Sequence, residues 1–272
     1  MARIELRNVS MMFGSNGTST HALDSLSLQV RDGEFLALIG PSGCGKSTLL
    51  DLVAGLRGPT DGQVTVDGDV ISKPGPDRGI VFQDYSLFPW MSALENIRFA
   101  LEHSSQRQSK KESLSQARKY LEIIGLSRFG DRYPGTLSGG MRQRLAIARM
   151  FAMDPRVFLM DEPFGALDSL NRVYMQDMLT YLWTQGERRK TVLFVTHDVD
   201  EALLLSDRIA VMTPAPGKIK EIIEVPFSRP RCRPELNSSP EYIALRTKLL
   251  ALLYEEMLGD IARQEKEMRR LK

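Results

Sequence analysis

The chain has 272 residues, of which 42% are hydrophobic and 26% are charged, and this composition is close to the average for soluble globular proteins. The 36 Lys and Arg residues against 34 Asp and Glu residues leave a net charge of +2, too small to predict binding to nucleic acid or anionic lipid. Neither a secretory signal nor a transmembrane segment is recognisable. The two cysteines, Cys44 and Cys232, exclude a disulfide framework. We therefore expect a globular protein of the cytosol with one large domain or two modest ones.

The first third of the chain is predicted to begin as antiparallel sheet. Alternating apolar residues favour two strands around a polar loop at 14–20. A short apolar strand at 34–39 then runs into a glycine-rich turn and a helix at 47–56, which Gly58-Pro59 ends. Turn dipeptides around 63–70 predict a hairpin. A small antiparallel layer is expected beside a strand, turn and helix unit.

The rest of the chain alternates strands with helices. Strands are predicted at 79–82, 157–160 and 191–196. Helices are predicted over most of 88–154, at 169–185 and from residue 242 onward. This alternation favours a parallel sheet with flanking helices. The Pro- and Arg-rich segment 226–234 is interpreted as a linker, and 263–272 as a solvated charged tail.

Residues 40–47 match the phosphate-binding pattern G-x-x-x-x-G-K-[ST]. The glycines let backbone NH groups turn towards phosphates, Lys46 reaches the β and γ phosphates, and Ser47 can ligate Mg²⁺. An ordinary glycine-rich turn is the alternative, but the predicted strand before it and helix after it favour nucleotide binding. The predicted nucleotide-binding residues of this P-loop are Gly40, Pro41, Ser42, Gly43, Cys44, Gly45, Lys46, Ser47 and Thr48.

A second candidate site is Asp161-Glu162, directly after the apolar strand at 157–160. A carboxylate at a buried strand end needs a cation or hydrogen bonds, so Asp161 is predicted to hold the magnesium that Ser47 also ligates. Glu162 would then polarise the attacking water as general base. Two solvated acids before a proline are the alternative interpretation.

The segment Leu137-Ser138-Gly139-Gly140-Met141 precedes a strongly helical stretch at 142–149. Ser138, Gly139 and Gly140 are predicted to form an N-cap whose free NH groups could hold a second anion. A plain helix cap is the alternative.

A P-loop, the 137–141 segment and Asp161-Glu162, in this order, resemble the ATP-binding cassette (ABC) ATPases. The resemblance implies an α/β fold: a RecA-like P-loop NTPase core, an antiparallel β layer and an inserted helical subdomain. The core is expected at 1–87 and 155–235, the helical subdomain at 88–154, and a C-terminal helical tail at 236–272. ATP and Mg²⁺ are the implied cofactors.

The same resemblance implies further site residues. Gln83 is similar to the family's glutamine that senses magnesium and meets the membrane partner, and His197 is similar to the histidine that contacts the γ-phosphate. Asp168 resembles the D-loop aspartate, and Phe13 the aromatic residue that stacks on adenine, with core packing as its alternative. The implied catalytic residues are Glu162, His197, Gln83 and Lys46. The implied magnesium ligands are Ser47, Gln83 and Asp161.

Two departures from the family pattern are visible. Met141 stands where the signature commonly ends in Gln, but the NH groups of the Ser-Gly-Gly cap remain. Phe13 lacks the hydroxyl of the commoner Tyr, which leaves stacking alone.

The resemblance also implies partners. Two cassettes are expected to stack head to tail, with Ser138, Gly139 and Gly140 of one closing over ATP held by the other, and a separate multi-span permease should dock near residues 85–91. Leu87, Phe88 and Trp90 would suit a helix in a groove, or pack in the cassette's own core. The segments 87–91 and 225–231 look like the nitrate, sulfonate and taurine importer branch, so a binding protein and a peripheral place on the cytoplasmic face of the inner membrane are expected, without nucleic acid.

Other classes stay open from the sequence. A soluble ABC ATPase of DNA repair would need a long coiled-coil insertion between Lys46 and Leu137, where no sustained heptads occur. A translation factor of the family would usually carry two cassettes. A P-loop small-molecule kinase would lack Ser138-Gly139-Gly140, Asp168 and His197 in these positions.

Overall fold

The chain folds into two sheets and a set of helices, described here by a computed structural model over residues 2–15, 18–82, 85–104, 109–165, 167–185 and 189–270. Its strands are β1 (Ile4–Ser15), β2 (Thr18–Val30), β3 (Phe35–Ile39), β4 (Asp61–Val66), β5 (Asp69–Val70), β6 (Arg78–Val81), β7 (Val157–Asp161), β8 (Thr191–Val195), β9 (Arg208–Met212) and β10 (Ile219–Glu224). Its helices are α1 (Lys46–Ala54), α2 (Ala93–Glu102), α3 (Lys110–Ile123), α4 (Gly139–Met153), α5 (Ser169–Thr184), α6 (Val199–Leu205), α7 (Arg233–Ser238) and α8 (Pro240–Arg270).

The larger sheet has the strand order β10-β9-β3-β8-β7-β6. All neighbours in it are parallel except β10, which runs antiparallel to β9 at one edge. Strands β3, β8 and β9 are buried along their whole length, which explains their near-continuous apolar sequences. The predicted parallel sheet is confirmed. Its register brings the carboxyl ends of β3, β8 and β7 to one edge.

The smaller sheet is antiparallel, with the order β2-β1-β4-β5. Its strands β1 and β2 pair further than predicted, because Gly14 lies opposite Ser19 and Ser15 opposite Thr18. The expectation of a polar loop at 14–20 was therefore wrong in its extent. Small and polar residues tolerate strand pairing where neither sheet face needs burial, so polarity alone overestimated the loop.

Two apolar clusters cover opposite faces of the larger sheet. Leu36 and Leu38 of β3 point into the cluster formed with α1 and the smaller sheet. Phe35, Ala37 and Ile39 point into the other cluster, formed with helices α2 to α6. The period-2 alternation of side chains along β3 thus divides one strand between two cores.

Helices α2, α3 and α4 lie between β6 and β7 in the chain. Capping boxes begin two of them: Ser92 with Glu95 at α2, and Ser109 with Glu112 at α3. Short 3₁₀ turns at Ser127–Phe129 and Pro134–Thr136 lead into α4. The boundaries predicted for the helical subdomain at 88 and 154 stay a prediction.

The segment 226–234, predicted as a linker, is instead anchored by its arginines. Arg231 donates to the carbonyls of Leu203, Leu204 and Ser206 at 2.7–3.0 Å, and Arg229 donates to Leu205 O. These are the carbonyls that α6 leaves free at its C-terminus. Burial, with the neighbouring Arg229 charge, lowers the pKa of Arg231 to about 10. The arginine content indicated a solvated segment, whereas in the structure the guanidinium groups hydrogen bond the free carbonyls at the C-terminus of α6.

The last helix, α8, packs on the cassette through Tyr242 and Leu249, which are 5% and 0% exposed. Its backbone stays helical to Arg270, while the side chains predicted as a charged tail at 263–272 lie outside the described ones. Among the described residues, no helix combines the length and apolar character that crossing a membrane requires.

Candidate nucleotide-binding site

The candidate site lies at the carboxyl edge of the larger sheet. The P-loop follows β3, Asp161 ends β7, and His197 comes two residues after β8. Since β8 pairs with both β3 and β7, these three sequence-predicted groups converge. Ligands of α/β sheets bind at this edge because helix N-termini and strand carboxyl ends meet there.

The P-loop is supported from below by the smaller sheet. Gly45, which caps α1, has φ of 96°, a left-handed conformation that favours glycine. A Cβ there would lie 2.7 Å from Leu23 Cδ2 and 3.0 Å from Ala22 O. Strand β2 thus touches the loop so closely that only glycine fits. The contact therefore excludes any side chain at this position of the loop.

Lys46 lies inside the loop that it is predicted to serve. Its Nζ donates to Gly40 O and Pro41 O, both at 2.8 Å, and the residue is 7% exposed. The Cys44 Sγ lies 3.7 Å from the same nitrogen, and burial raises the pKa of the Cys44 thiol. A buried ammonium needs acceptors, and the loop carbonyls supply them.

Asp161 and Ser47 lie near each other. Burial raises the pKa of the Asp161 carboxyl, and the nearby Ser47 hydroxyl lowers it by a smaller amount. A half-buried carboxylate beside a hydroxyl is an oxygen donor pair of the kind that Mg²⁺ prefers. Among the described residues no cluster of three or more His, Cys, Asp or Glu side chains could hold a metal alone. The oxygen groups of Asp161 and Ser47 are of the kind that could hold a magnesium ion.

Glu162 lies one residue beyond β7 and faces His197. His197 Nδ1 and Glu162 Oε2 are 3.2 Å apart, and the backbone of Glu162 has φ of 45°. Its NH still donates to Val195 O at 3.0 Å. Left-handed backbone at a residue other than Gly or Asn is costly and concentrates at functional sites. The turn sends the carboxylate towards His197.

Phe13 lies near the end of β1, where it pairs with Thr20. The ring is half-buried against the cluster beneath the smaller sheet, and the Arg57 guanidinium carbon lies 5.3 Å from its centre. Arg57 is held by Asp51 at 3.1 Å. The core packing expected as the alternative for Phe13 is present in part, and adenine stacking stays a prediction.

Ser138, Gly139 and Gly140 form a separate group at the start of α4. Ser138 Oγ accepts from Met141 N at 3.3 Å, so the predicted cap is present. Asp168 likewise caps α5, accepting from Asn171 N at 3.0 Å. The hydrogen bond from Asn171 Nδ2 at 2.6 Å, followed by this backbone bond, keeps the pKa of Asp168 below its usual value. A Cβ on Gly140 would lie 3.4 Å from Leu167, so these two helix starts are neighbours.

Some residues beside His197 were not predicted from the sequence, and one predicted site residue is outside the described part of the chain. Asp198 caps α6 through Glu201 N at 3.1 Å, and Thr196 Oγ1 donates to Glu201 Oε2 at 2.6 Å. Together these bonds fix the chain on both sides of His197. The spacing of Asp198 and Glu201 is a capping signal that could have found them. Gln83 lies outside the described residues.

A narrow apolar groove of about 140 Å³ opens beside β6, between α2 and α4. Phe88 and Phe99 line it with the Arg149 guanidinium, which lies 5.0 Å from the Phe88 ring centre. Burial lowers the pKa of Arg149. Trp90, 69% exposed, stands at the groove with its ring 5.6 Å from that of Phe88. Leu87 packs against the core instead. Of the two expectations for this segment, exposure is found for Trp90 and packing in the cassette's own core is found for Leu87.

Comparison with known proteins identifies the class. The family model described as ABC transporter matches residues 23–165, a range that includes the P-loop, the 137–141 segment and Asp161-Glu162. The chain belongs to the ABC transporter family, and its activity is that of an ABC transporter ATPase. The predicted resemblance is confirmed.

The chain is also similar to individual proteins whose names state what they transport. The chain is 44% identical to the bicarbonate transport ATP-binding protein CmpD of Synechocystis sp., over 95% of this chain and 92% of that protein. It is 47% identical to the nitrate import ATP-binding protein NrtD of Synechococcus elongatus, over 88% and 87%. Among solved structures it is similar to the ATP-binding cassette MJ0796 in a dimeric post-hydrolysis state bound to ADP and Pi. The TM-score is 0.72 with 32% identity, over 83% of this chain and 100% of that one, which confirms the predicted α/β fold class.

Proposed function

We propose that the chain is the ATP-hydrolysing subunit that energises uptake of a small anion through a separate permease. The identity of 44% and 47% with proteins named for bicarbonate and nitrate transport, each over most of both chains, carries this proposal. Sulfonate and taurine, expected from the segments 87–91 and 225–231, stay within the same class of small charged solutes.

In this proposal the P-loop residues 40–48 bind the phosphates and Phe13 stacks on adenine. Ser47, Asp161 and Gln83 ligate Mg²⁺, which would supply charge neutralisation on the phosphates when bound. Glu162 accepts a proton from the attacking water. His197 Nδ1, 3.2 Å from Glu162 Oε2, positions the Glu162 carboxylate. The raised pKa of Asp161 supports the metal role, because a nearby cation would stabilise the ionised carboxylate there.

We further propose that two copies close over ATP, with Ser138, Gly139 and Gly140 of one copy facing the P-loop of the other. Two observations support this arrangement. The 138–140 cap neighbours Asp168 rather than lying among the phosphate-binding groups, and the similar cassette MJ0796 is dimeric with ADP and Pi bound. Closing and opening of such a dimer would provide the movement that transport needs.

The permease is proposed to dock on the groove at Phe88, Phe99 and Arg149. An apolar groove with an exposed aromatic residue, Trp90, at its edge suits an amphipathic helix. Docking there would hold the chain on the cytoplasmic face of the inner membrane as a peripheral subunit, with a binding protein delivering the anion on the other side.

An uptake experiment tests the proposal. The gene is deleted in its own host, and uptake of labelled nitrate, bicarbonate, taurine and an alkanesulfonate is measured separately. We expect uptake of one of these solutes to be lost, to return with the wild-type gene, and not to return with Lys46→Ala. Unchanged uptake of all of them in the deletion strain would contradict the anion class, while recovery with Lys46→Ala would contradict the ATPase role.

A further inference from the structure

Arg172 lies near the start of α5 and contacts the starts of two helices at once. Its Nη1 lies 3.3 Å from Asp198 Oδ2, and its Nε lies 3.7 Å from Glu201 Oε1. Its Nη2 donates to Leu167 O at 3.4 Å. A guanidinium is a planar fork with several N–H donors, so one side chain can serve all three groups. Arg172 thus connects the segment before α5 with the start of α6.

The start of α6 is also where His197 is held. Thr196 Oγ1, on one side of His197, donates to Glu201 Oε2 at 2.6 Å and accepts from Asp198 N at 3.0 Å. On the other side, Asp198 Oδ1 accepts from Asp200 N at 2.9 Å and from Glu201 N at 3.1 Å. The His197 side chain itself is 61% exposed. Its position is therefore set by the neighbouring residues, and above all by two carboxylates, Asp198 and Glu201.

Glu201 is a buried carboxylate, only 5% exposed, and it needs a positive charge nearby. Both of its oxygens accept hydrogen bonds, from Thr196 Oγ1 and from Gln176 Nε2 at 3.1 Å. The Gln176 amide is fixed in this orientation because its Oε1 accepts from Arg233 at 2.8 Å. Burial raises the pKa of Glu201, while Thr196, Arg172 and Gln176 lower it. The Arg172 charge thus helps to keep Glu201 in the ionised form that accepts both bonds.

The third contact of Arg172 leads to another part of the site. The carbonyl that accepts from its Nη2 belongs to Leu167, the residue before Asp168, which is the N-cap of α5. A Cβ on Gly140 would lie 3.4 Å from Leu167 Cδ2. Arg172 therefore spans from the segment beside the 138–140 cap to the segment that carries His197.

We propose that Arg172 is a positioning residue for ATP hydrolysis. Through Asp198 and Glu201 it holds His197 in its place beside Glu162, where His197 Nδ1 and Glu162 Oε2 are 3.2 Å apart. It acts on hydrolysis through His197 and not on the phosphates. The inference rests on the proposed function, which assigns Glu162 and His197 to the hydrolytic step.

Turnover of an Arg172→Gln variant tests the proposal. Arg172 lines an open groove of about 580 Å³ between α5, α6, α7 and α8, so water can take the place of the guanidinium and the fold should be kept. We expect kcat to fall about 10–10²-fold because the reacting groups are misplaced. ATP affinity, measured by calorimetry, should stay within about twofold.

Arg156→Gln is the matched control. Arg156 pairs with Asp67 at 2.9 Å directly before β7, at the end of the strand opposite to Asp161. Its loss removes an ion pair of the same kind away from the site, so kcat should match the wild type. A folded Arg172→Gln protein with wild-type kcat, or one whose ATP affinity falls as far as its kcat, would overturn the proposal.

Glu201→Gln is a second variant that leaves Arg172 in place. It keeps the size of the side chain, but it removes the charge and sets an amide NH₂ against a donor. The same result is expected, a lower kcat with ATP affinity kept. If Arg172→Gln does not fold, as judged by circular dichroism, Glu201→Gln decides the question, and a wild-type kcat in it would overturn the proposal.

Nuclear magnetic resonance of the imidazole nitrogens separates positioning from a purely structural role. The chain has three histidines, and His197→Gln assigns the His197 signals in the full chain labelled with ¹⁵N-histidine, without nucleotide. The hydrogen bond of one ring nitrogen fixes the tautomer of a histidine. We expect the wild type to carry the His197 proton on Nδ1, facing Glu162, and the two His197 nitrogen signals to average in Arg172→Gln.

His103 is the internal control, since its Nδ1 lies 2.8 Å from Phe99 O on α2 and its signals should not change. His197 signals that are the same in Arg172→Gln and in the wild type would overturn the proposal. Because this measurement uses no ATP, it can fail while the proposed function stands.

Discussion

At the scale of single residues, Lys46 is held by carbonyl groups of its own loop. Its ammonium has two carbonyl partners at 2.8 Å within its own loop. Phosphate oxygens would replace neutral acceptors by charged ones, and such hydrogen bonds are about twice as strong. The loop carbonyls therefore compensate the burial of this ammonium.

The first prediction concerns Glu162. Glu162→Gln keeps the size of the side chain and a hydrogen bond to His197, but an amide cannot accept the proton of water. Loss of a general base lowers turnover by about 10²–10⁴-fold, while ATP affinity should stay within about twofold. Phosphate release and titration calorimetry on the same preparation separate the two quantities.

Lys46→Ala is the matched comparison, since it removes the proposed phosphate ligand and leaves Glu162 in place. It should lose ATP affinity in calorimetry, unlike Glu162→Gln. Hydrolysis near the wild-type rate in Glu162→Gln would remove Glu162 from the role of base.

Sequence reasoning succeeds for residues whose chemistry depends on their neighbours in the chain. Lys46 and Ser47 belong to one continuous motif, and Asp161 directly follows an apolar strand of the predicted parallel sheet. The left-handed backbone of Glu162 and the Arg57 cation on Phe13 depend on contacts between distant segments. No local pattern encodes them.

At the scale of elements, the attachment of α8 to α6 depends on one carboxylate. Asp200 of α6 accepts from Tyr242 Oη at 2.9 Å and from Arg246 Nε at 2.6 Å. The Arg246 hydrogen bond, with that of Tyr242, holds the pKa of Asp200 below its usual value. A lowered carboxyl pKa stabilises the folded state above the unfolded-state pKa, and that stability is lost as the pH falls.

We therefore predict that acid loosens α8 and that Asp200→Asn has the same effect at neutral pH. Because the carboxylate is about half exposed, solvent screening limits its contribution to about 0.5–1 kcal/mol. Hydrogen exchange of α8 amides is measured at pH 7 and near pH 3 and expressed as protection factors, which remove the slower intrinsic exchange in acid. The protection factors should be lower at low pH in the wild type, and they should change less in the variant.

Asp69→Asn on the exposed hairpin strand β5 serves as the control and should behave like the wild type. If α8 exchange in Asp200→Asn matched the wild type at both pH values, Asp200 would not be the anchor.

Among the elements, prediction failed where burial depends on tertiary contacts. No pattern predicted β9, β10 or α6. Strand β9 is a five-residue run that a buried helix segment would match equally well, and β10 mixes charged and apolar residues because only one side of it packs. The linker interpretation of 226–234 followed composition, whereas Arg229 and Arg231 are fixed by carbonyls of α6.

At the scale of the whole molecule, the folded core continues past the last sequence motif. Leu236, Tyr242 and Leu249 belong to the same apolar cluster as Phe35 and Phe194 of the central sheet. The part beyond 225 is therefore a structural component of the cassette and not an appendage to it.

We predict that ending the chain after Val225 lowers stability by several kcal/mol. Burial of each large apolar side chain contributes about 1.5–3 kcal/mol, and the free carbonyls at the end of α6 would add an unsatisfied polar cost. Urea unfolding followed by circular dichroism measures the difference.

A chain that ends after Leu258 is the matched control, since it keeps Arg229 and Arg231 and the three buried residues Leu236, Tyr242 and Leu249. It should unfold at nearly the wild-type urea concentration and bind ATP normally. Equal stability of the two shortened chains would mean that the segment 226–258 is not part of the cooperative unit.

The two tryptophans occupy opposite environments. Trp183 is 2% exposed, donates to Lys190 O at 2.8 Å, and lies between Arg189 and Arg229, whose guanidinium carbons are 5.2 and 4.7 Å from its ring. Trp90 is 69% exposed beside the groove. The protein thus contains two intrinsic fluorophores that report on different events. Emission from Trp183 should change only when the core opens, and emission from Trp90 should move to shorter wavelengths when an apolar partner covers the groove, so unfolding and docking can be followed separately without a label.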